Sequence, residues 1–389
     1  MKKYSVCPLA HKCGGCQLQS LSYKDQLNYK MDEVYKALDN WGRIAPIVPM
    51  DNPTNYRNKT QVVFDQQKGK IVSGIYQSGT HRVISIHDCM IQDEESDQIL
   101  QTIRHLMKKF SILPYNEDNG RGVIRHVLIR KAIRTNQVMV VLICGSPIIN
   151  SLKTFVSLLK QEHSNIKSIL LNYNDGKTSM VLSDDPEQIL YGKGYIEDEL
   201  CGMKFRISPK SFYQVNSVQA EKMYNIVMNM ARLNKDDVVL DAYCGTGTIG
   251  LIAAKQGIKK LIGVEVNAQA VDDARLNAFK NGIENAEFVC ADASQYISEL
   301  AASKEKIDVL FMDPPRSGSD TSFLISVLKL SPKTIVYISC NMNTLDRDLK
   351  ILNKSNEYDV VGIQPIDMFP YTTHIENIVL LTRYNKNDK

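Results

Sequence analysis

Residues 237–254 read DVVLDAYCGTGTIGLIAA. An apolar run, Val238 to Leu240, leads into Asp241, then into a loop punctuated by Gly245 and Gly247, then into a second apolar stretch. The pattern is strand, glycine turn, helix. Glycines directly after a strand permit a tight turn and let the backbone approach a ligand at the helix N-terminus. The same alternation continues downstream. KLIGVEV (260–266) reads as a short strand and QAVDDARLNAFKNG (269–282) as a helix stopped by Gly282. EFVCAD (287–292), IDVLFMDPP (307–315) and TIVYISC (334–340) are further strands with helical segments between them. Alternating strand and helix predict an α/β, doubly wound, Rossmann-like parallel sheet over residues 205–389. YDVVGIQPIDM (358–368) and HIENIVLLTR (374–383) are expected to close it as an antiparallel pair.

Upstream the texture differs. Residues 46–204 carry two hairpin patterns, TQVVFDQQKGKIVSGIYQSG (60–79) and RGVIRHVLIRKAIRTNQVMVVLIC (121–144), with a helical stretch over 92–110 between them. This is a mixed α/β region rich in antiparallel strands. Residues 1–45 form a cysteine- and glycine-punctuated arm followed by a helix over 20–41, its apolar face drawn from Leu21, Leu27, Met31, Val34 and Leu38. Three regions, 1–45, 46–204 and 205–389, are expected.

Composition excludes some classes. The longest apolar run, Val138 to Cys144, is far short of the roughly 20 residues that span a bilayer. No apolar leader follows Met1, so a cytoplasmic protein without membrane contact is expected. A net charge of +4 permits a nucleic-acid partner without demanding one. Nine cysteines, an odd number, are read as ligands, nucleophile and buried filler rather than as a disulfide framework.

Glu265 ends the strand after the glycine loop, where an acidic side chain accepts the hydroxyls of a nucleoside ribose. NAD and S-adenosylmethionine are the two candidates. The third small residue of a dinucleotide fingerprint fits poorly at Ile249-Gly250, and Asp241 and Asp292 suit a ligand carrying a sulfonium and an ammonium. S-adenosylmethionine is the better match.

Asp313-Pro314-Pro315-Arg316 follows the strand VLFM, at the sheet edge where open α/β folds place their sites. Amino-directed methylases usually place an aromatic after such a Pro-Pro, but here Arg316 stands there, so the nucleophile lies elsewhere. Cys340, at the end of TIVYISC, supplies one. Uracil C5 is too weakly nucleophilic to take a sulfonium methyl unaided, and a thiolate adding to C6 turns the ring into an enolate with electron density at C5. A base must then remove the C5 proton. Glu376 and His374 compete for that role, two residues apart and on one face of an extended segment.

Together these motifs resemble the RNA (uracil-5-)-methyltransferase family: SFYQVN (211–216), LDAYCGTGTIG (240–250), GVE (263–265), DPPR (313–316), SCN (339–341) and DMFPYTTHIE (367–376). The resemblance implies Cys340 as nucleophile and Glu376 as base. It also implies an S-adenosylmethionine pocket lined by Gln214, Tyr243, Thr248, Glu265, Asp292 and Asp313.

CPLAHKCGGC places Cys7, Cys13 and Cys16 in C-x5-C-x2-C spacing, with Cys89 available as a fourth ligand. Four thiolates suit zinc or an iron–sulfur cluster, and spacing alone leans to zinc. The resemblance reverses that lean, because the ribosomal-RNA branch of the family carries a [4Fe–4S] cluster on this pattern. It therefore implies 23S ribosomal RNA as partner; a transfer-RNA T-loop is the nearer alternative and a non-catalytic iron–sulfur RNA-binding protein the more distant one. No obligate protein partner is evident. Many relatives begin with an OB-like TRAM domain, expected to be absent here because the cysteine arm starts at residue 7. RNA contacts are then sought at Arg57, Lys59, Arg121, Arg125, Arg130, Lys131 and Arg134, with Phe212, Tyr213 and Phe369 as stacking candidates for a flipped base. Cys144, Cys201, Cys244 and Cys290 are expected to be buried filler.

Overall fold

The computed structural model describes residues 7–77, 79–147, 151–176, 180–303, 305–354 and 357–384. The first six residues, on which the expectation of no apolar leader partly rests, lie outside them. No helix among the described residues is long and apolar enough to cross a membrane.

Two seven-stranded sheets and a hairpin carry the chain. The first sheet contains β1 (Lys59–Gln67), β2 (Lys70–Tyr76), β3 (Val83–Ser85), β4 (Ile124–Lys131), β5 (Val138–Cys144), β6 (Ile166–Tyr173) and β7 (Gln188–Gly192), in the order β3-β2-β1-β4-β5-β6-β7. Both predicted hairpins form: β1 pairs antiparallel with β2, and β4 with β5. The first turns at Lys68 and Gly69, with φ of +51° and +76°, the left-handed pair that a two-residue turn between twisted strands needs. Alternation along β4 and β5 divides their side chains between two cores. Val127, Ile129, Val140 and Leu142 meet the helices Glu94–Lys109 and Leu152–Glu162. Leu128, Met139, Val141 and Ile143 join Phe205, Met223, Val227 and Leu251 in a core shared with the second half of the chain. Both faces are covered, which is why VMVVLIC is continuously apolar.

A two-stranded hairpin, β8 (Ile196–Leu200) and β9 (Met203–Ile207), precedes the second sheet. That sheet contains β10 (Val238–Ala242), β11 (Lys260–Glu265), β12 (Ala286–Cys290), β13 (Val309–Met312), β14 (Thr334–Ser339), β15 (Tyr358–Ile366) and β16 (Glu376–Arg383), ordered β12-β11-β10-β13-β14-β16-β15. The first five in that order run parallel, and β16 is antiparallel to both β14 and β15. Strand order reverses between β10 and β13. Ligands of open α/β sheets bind at such a reversal, outside the carboxyl ends of the strands.

The helix Tyr23–Leu38 is shorter than the expected span, capped by the Ser22 hydroxyl accepting from Asp25 N at 3.2 Å. It packs on the second sheet, with Val34 and Leu38 in one core with Tyr337, Leu345 and Val379. Its buried face is rotated from the one that apolar spacing predicts. Gln26, Lys30, Val34 and Leu38 face inward, while Leu27 and Met31 only flank the core.

Candidate active site

The loop after β10 is held from three sides. Gly245 and Gly247 have φ of +55° and +81°. The Gly245 amide donates to Glu265 Oε2 at 3.1 Å, and the Asn267 amide donates to Oε1 at 2.8 Å. Buried Asn277 donates to the Thr246 carbonyl at 3.1 Å. Asp241 lies beneath, accepting from the Gly250 amide through Oδ2 at 2.8 Å, while its buried Oδ1 has no partner. Burial pushes the Asp241 carboxyl up to about 8. Thr248 opens the helix Thr248–Ala254, its hydroxyl 3.4 Å from that of Thr246. Tyr243, in the left-handed region at φ +66°, donates to Ser319 Oγ at 3.3 Å and packs on Phe323. Asp292 is exposed and caps the next helix, accepting from Ser294 N and Gln295 N, each at 3.0 Å. Gln214 is buried between Asn58, which donates to its carbonyl at 3.1 Å, and the Tyr224 hydroxyl.

This is a crevice with the features a nucleoside cation requires. A carboxylate offers about four lone-pair directions, and Glu265 spends two on backbone amides, leaving two toward the crevice. Asp241 adds an unsatisfied acceptor below the loop. The donor set fits S-adenosylmethionine.

Cys340 stands one residue beyond β14. The antiparallel register pairs Ser339 with Asn377, so the next step of the ladder sets Cys340 against Glu376. Asp313 follows β13, the parallel neighbour of β14. A cavity of about 490 Å³ opens over Cys340, lined among others by Arg316, Asn341, Thr373 and His374, with Glu33 and Lys36 of the N-terminal helix on its far wall. Arg316 is tethered through its carbonyl, which accepts from Asn341 Nδ2 at 3.1 Å and Thr344 Oγ1 at 3.4 Å. Its guanidinium donates to His374 Nε2 at 3.5 Å.

The electrostatics of this cluster follow from burial, from its acids and from the cations around them, Arg316 foremost. Glu376 is buried, and burial together with Asp313 raises its carboxyl well above the usual range while Arg316 opposes the rise. Burial pushes Asp313 up to about 7. The Cys340 thiol is raised by burial, then by Glu376 and Asp313, and lowered by Arg316. His374 is lowered by burial and by Arg316, Lys30 and Arg57, which leaves a neutral imidazole accepting at Nε2. Of the two competing bases, the carboxylate faces the thiol and the imidazole faces the guanidinium.

The amino-terminal cysteines gather around Cys16. Burial and the neighbouring thiols of Cys89, Cys13 and Cys7 push the Cys16 thiol up to about 12. Cys16 and Cys89 flank one small apolar cluster of Met50, Tyr56, Ile91 and Tyr371. Among the described residues, no three His, Cys, Asp or Glu side chains form a group that could hold a metal ion. Of the expected fillers, Cys144 and Cys244 are buried, but Cys201 is half-buried and Cys290 exposed, because a strand end at the sheet's outer edge leaves Cys290 uncovered.

Most of the basic candidates are committed inside the protein. Arg130 is buried and donates to the Ser208 carbonyl at 2.9 Å and the Ser211 carbonyl at 2.5 Å. Arg125 pairs with Glu117 at 2.7 Å and Lys131 with Asp93 at 2.9 Å, while exposed Arg134 pairs with Glu221 at 2.6 Å on the surface. Arg57 is half-buried, and burial beside Arg130 and Arg57 lowers Lys59 to about 8. Arg121 and Phe212 are exposed, Tyr213 is buried and Phe369 is half-buried. The sequence reading missed Asn341 and Ser319, which hold Arg316 and Tyr243. Asn341 lay within a quoted motif; Ser319 carries no signal of its own.

A family model described as tRNA (uracil-5-)-methyltransferase matches residues 22–384. The chain is 42% identical over 388 residues to an uncharacterized RNA methyltransferase of Clostridium acetobutylicum, covering 98% of this chain and 84% of the relative. It is 39% identical over 384 residues to one of Halalkalibacterium halodurans, covering 97% and 83%. Among solved structures, it is similar to the Pyrococcus abyssi tRNA (uracil-54, C5)-methyltransferase in complex with S-adenosyl-L-homocysteine. That match has TM-score 0.78 and 26% identity, and covers 95% of this chain and 86% of the other.

Proposed function

The chain belongs to the tRNA (uracil-5-)-methyltransferase family, and on that premise we propose that it methylates C5 of a uridine in 23S ribosomal RNA through a covalent bond between Cys340 and C6. The observation that carries this reading is the ladder end at which Cys340 meets Glu376, with Asp313 and Arg316 beside them. Glu265 takes the ribose hydroxyls of S-adenosylmethionine, and Gly245 and Gly247 let the backbone approach it. Gln214, Tyr243, Thr248, Asp292 and Asp313 complete the wall. When bound, S-adenosylmethionine supplies a methyl group on a sulfonium, electrophilic enough for an enolate carbon.

The chain's own residues do the rest. The Cys340 thiolate adds to C6, and the C5=C6 electrons move to the enolate spanning C5, C4 and O4. C5 would then take the methyl group, whose bond to the sulfonium sulfur breaks to leave a neutral thioether. Glu376 takes the C5 proton, the C5–H pair re-forms C5=C6, and the C6–S bond breaks to return the thiolate. Burial and the neighbouring Asp313 raise the Glu376 carboxyl, because two nearby carboxyls resist ionising together. Arg316 favours both the thiolate and the ionised Glu376.

The thiols of Cys7, Cys13, Cys16 and Cys89 are assigned to a [4Fe–4S] cluster. The four side chains do not form a metal-holding group among the described residues, so the cluster would draw them together; support comes from the proximity by which Cys7, Cys13 and Cys89 act on the Cys16 thiol and from the tetrathiolate chemistry that such clusters use. When bound, the cluster supplies a cross-link between the arm and the loop at Cys89. The three regions 1–45, 46–204 and 205–389 are kept as the working division.

Mass mapping of 5-methyluridine in RNA from cells lacking the gene tests the substrate. Loss at a 23S position is expected. Loss only in the transfer-RNA T-loop would overturn the ribosomal target and favour the second reading, to which the similar Pyrococcus abyssi tRNA (uracil-54, C5)-methyltransferase points. For the chemistry, 5-fluorouridine RNA should be trapped on the protein, because fluorine cannot leave as a proton. Trapping by a Cys340→Ala variant would refute the nucleophile.

A further inference from the structure

Between β15 and β16 lies the nine-residue connection 367–375, and Ile366 and Glu376 at its two ends pair with each other. Whatever holds this connection sets where Glu376 enters the cleft. It is held chiefly by the amino-terminal 56 residues. Lys30, fully buried in the N-terminal helix, donates from Nζ to Asp367 Oδ1 at 2.6 Å and to the Phe369 carbonyl at 3.0 Å. Tyr23, about two turns away on the same face, donates its hydroxyl to Asp367 Oδ2 at 2.9 Å and accepts from Met50 N at 2.7 Å. Gln26 Oε1 accepts from the Tyr371 amide at 2.8 Å, and Tyr371 sits at φ +68°. The Tyr371 carbonyl accepts from Leu18 N at 2.9 Å, and Tyr56 donates to the Pro370 carbonyl at 3.0 Å.

An ammonium has no reason to be buried on this face for stability alone. Taking two charges out of water costs about as much as their attraction returns, and an apolar pair of the same volume is often as stable or more so. Buried pairs are best attested where they set a register. Here the pair, both side chains 0% exposed, lies at the root of the segment that delivers Glu376, and Lys30 spans two residues of it.

We propose that Lys30 is a positioning residue for proton removal: through Asp367 and the Phe369 carbonyl it fixes the 367–375 connection, and hence the Glu376 carboxylate, against C5 of the covalently bound uridine. This rests on the reading of Glu376 as the base. The step it governs breaks C5–H with transfer of the proton to Glu376, re-forms C5=C6 with that electron pair, and breaks C6–S with departure of the Cys340 thiolate. Thiol addition precedes it and does not use Glu376, so the two halves of the reaction respond differently to Lys30.

The test compares wild type, Lys30→Met and Glu376→Gln in single-turnover reactions with S-adenosylmethionine. One arm uses 5-fluorouridine RNA and reads addition; the other uses ordinary uridine RNA and reads release of the adduct on a denaturing gel. Lys30→Met is expected to trap fluorinated RNA at the wild-type rate. It should release methylated uridine about 10- to 100-fold more slowly, as expected for a catalytic group displaced by about an ångström. Its adduct should accumulate as in Glu376→Gln. Normal release by Lys30→Met while Glu376→Gln stalls would overturn the proposal and leave the base standing. Normal release by Glu376→Gln would remove the base itself. Equal slowing of both arms in Lys30→Met would mark a merely structural residue and also overturn the proposal. Should Lys30→Met not fold, the charge-neutral Lys30→Met/Asp367→Asn pair and the milder Tyr23→Phe carry the same comparison.

Discussion

Replacing Arg316 by Gln removes the positive group that lowers both the Cys340 thiol and the Glu376 carboxyl. Among the described residues Arg316 forms no salt bridge, so its charge is directed at the cleft rather than spent on a carboxylate. Two unit charges about 6 Å apart at an effective dielectric near 20 interact by about 2.8 kcal/mol. The guanidinium is exposed, so a dielectric roughly twice as large is more apt, which leaves about 1.4 kcal/mol, or tenfold in thiolate population. Trapping of 5-fluorouridine RNA at pH 7 should therefore slow about tenfold in Arg316→Gln. The sign follows from the direction of the shifts. The ionised forms react, all three acids are raised, and trapping should rise with pH in both proteins, with the variant lagging until alkaline solution ionises the thiol unaided. Quenched time courses from pH 6 to 9 measure this. The thiol is raised above its ordinary value by burial and its acidic neighbours, so the deficit should persist through this range, and equal rates at pH 7 would refute the electrostatic role and leave Arg316 an RNA contact.

Asp241→Asn should flatten the fall of stability with pH. Asp241 is raised from its ordinary value to about 8 by burial, so between about pH 4 and 8 the native state binds more protons than the unfolded chain, and stability decreases as pH rises. Urea melts at pH 5 and 8 should show a smaller difference in the variant than in wild type, and an equal difference would contradict the assignment. In Gly250→Ala, a Cβ would come within 2.7 Å of Leu261 Cδ1 and 2.9 Å of Asp241 Oδ2. Overpacking of about 1–3 kcal/mol outweighs the gain of about 1 kcal/mol from helix propensity. A net loss of up to about 2 kcal/mol is expected, read as a lower urea midpoint with unchanged slope. Anaerobically purified protein should contain about four irons per chain and absorb broadly in the blue. Cys89→Ser should lose most of that iron, and stoichiometric zinc in its place would overturn the cluster.

The alternation after residue 205 was legible because parallel strands buried on both faces leave uninterrupted apolar runs, and each run ends at a turn residue. The same logic exposed both hairpins of the first sheet. Cys340 was legible as a thiol at a strand end, and Glu376 as a carboxylate preceding a strand. Their juxtaposition was not, because it depends on β16 inserting antiparallel between β14 and β15, a pairing that no local pattern specifies. The basic residues misled for a related reason. Arg125 and Arg130 lie on strands covered from both sides, so their charge meets carbonyls and carboxylates rather than solvent.

Lys30 marks the boundary most clearly. Periodicity placed it in a helix, and it is in one. The helix axis turns the polar Gln26 and Lys30 inward, against a connection more than 300 residues away in the chain. An isolated helix would keep both in water, since desolvating an ammonium is unfavourable until a carboxylate is fixed to receive it. The sequence by itself determined the elements and the glycine loop, which follow from local spacing, and its resemblance to a known family pointed to Cys340 and Glu376. The tertiary structure alone decided which acid faces the thiol, which charges are consumed inside, and what holds the connection that leads to Glu376, because those depend on long-range pairing that brings groups together only once the chain is packed.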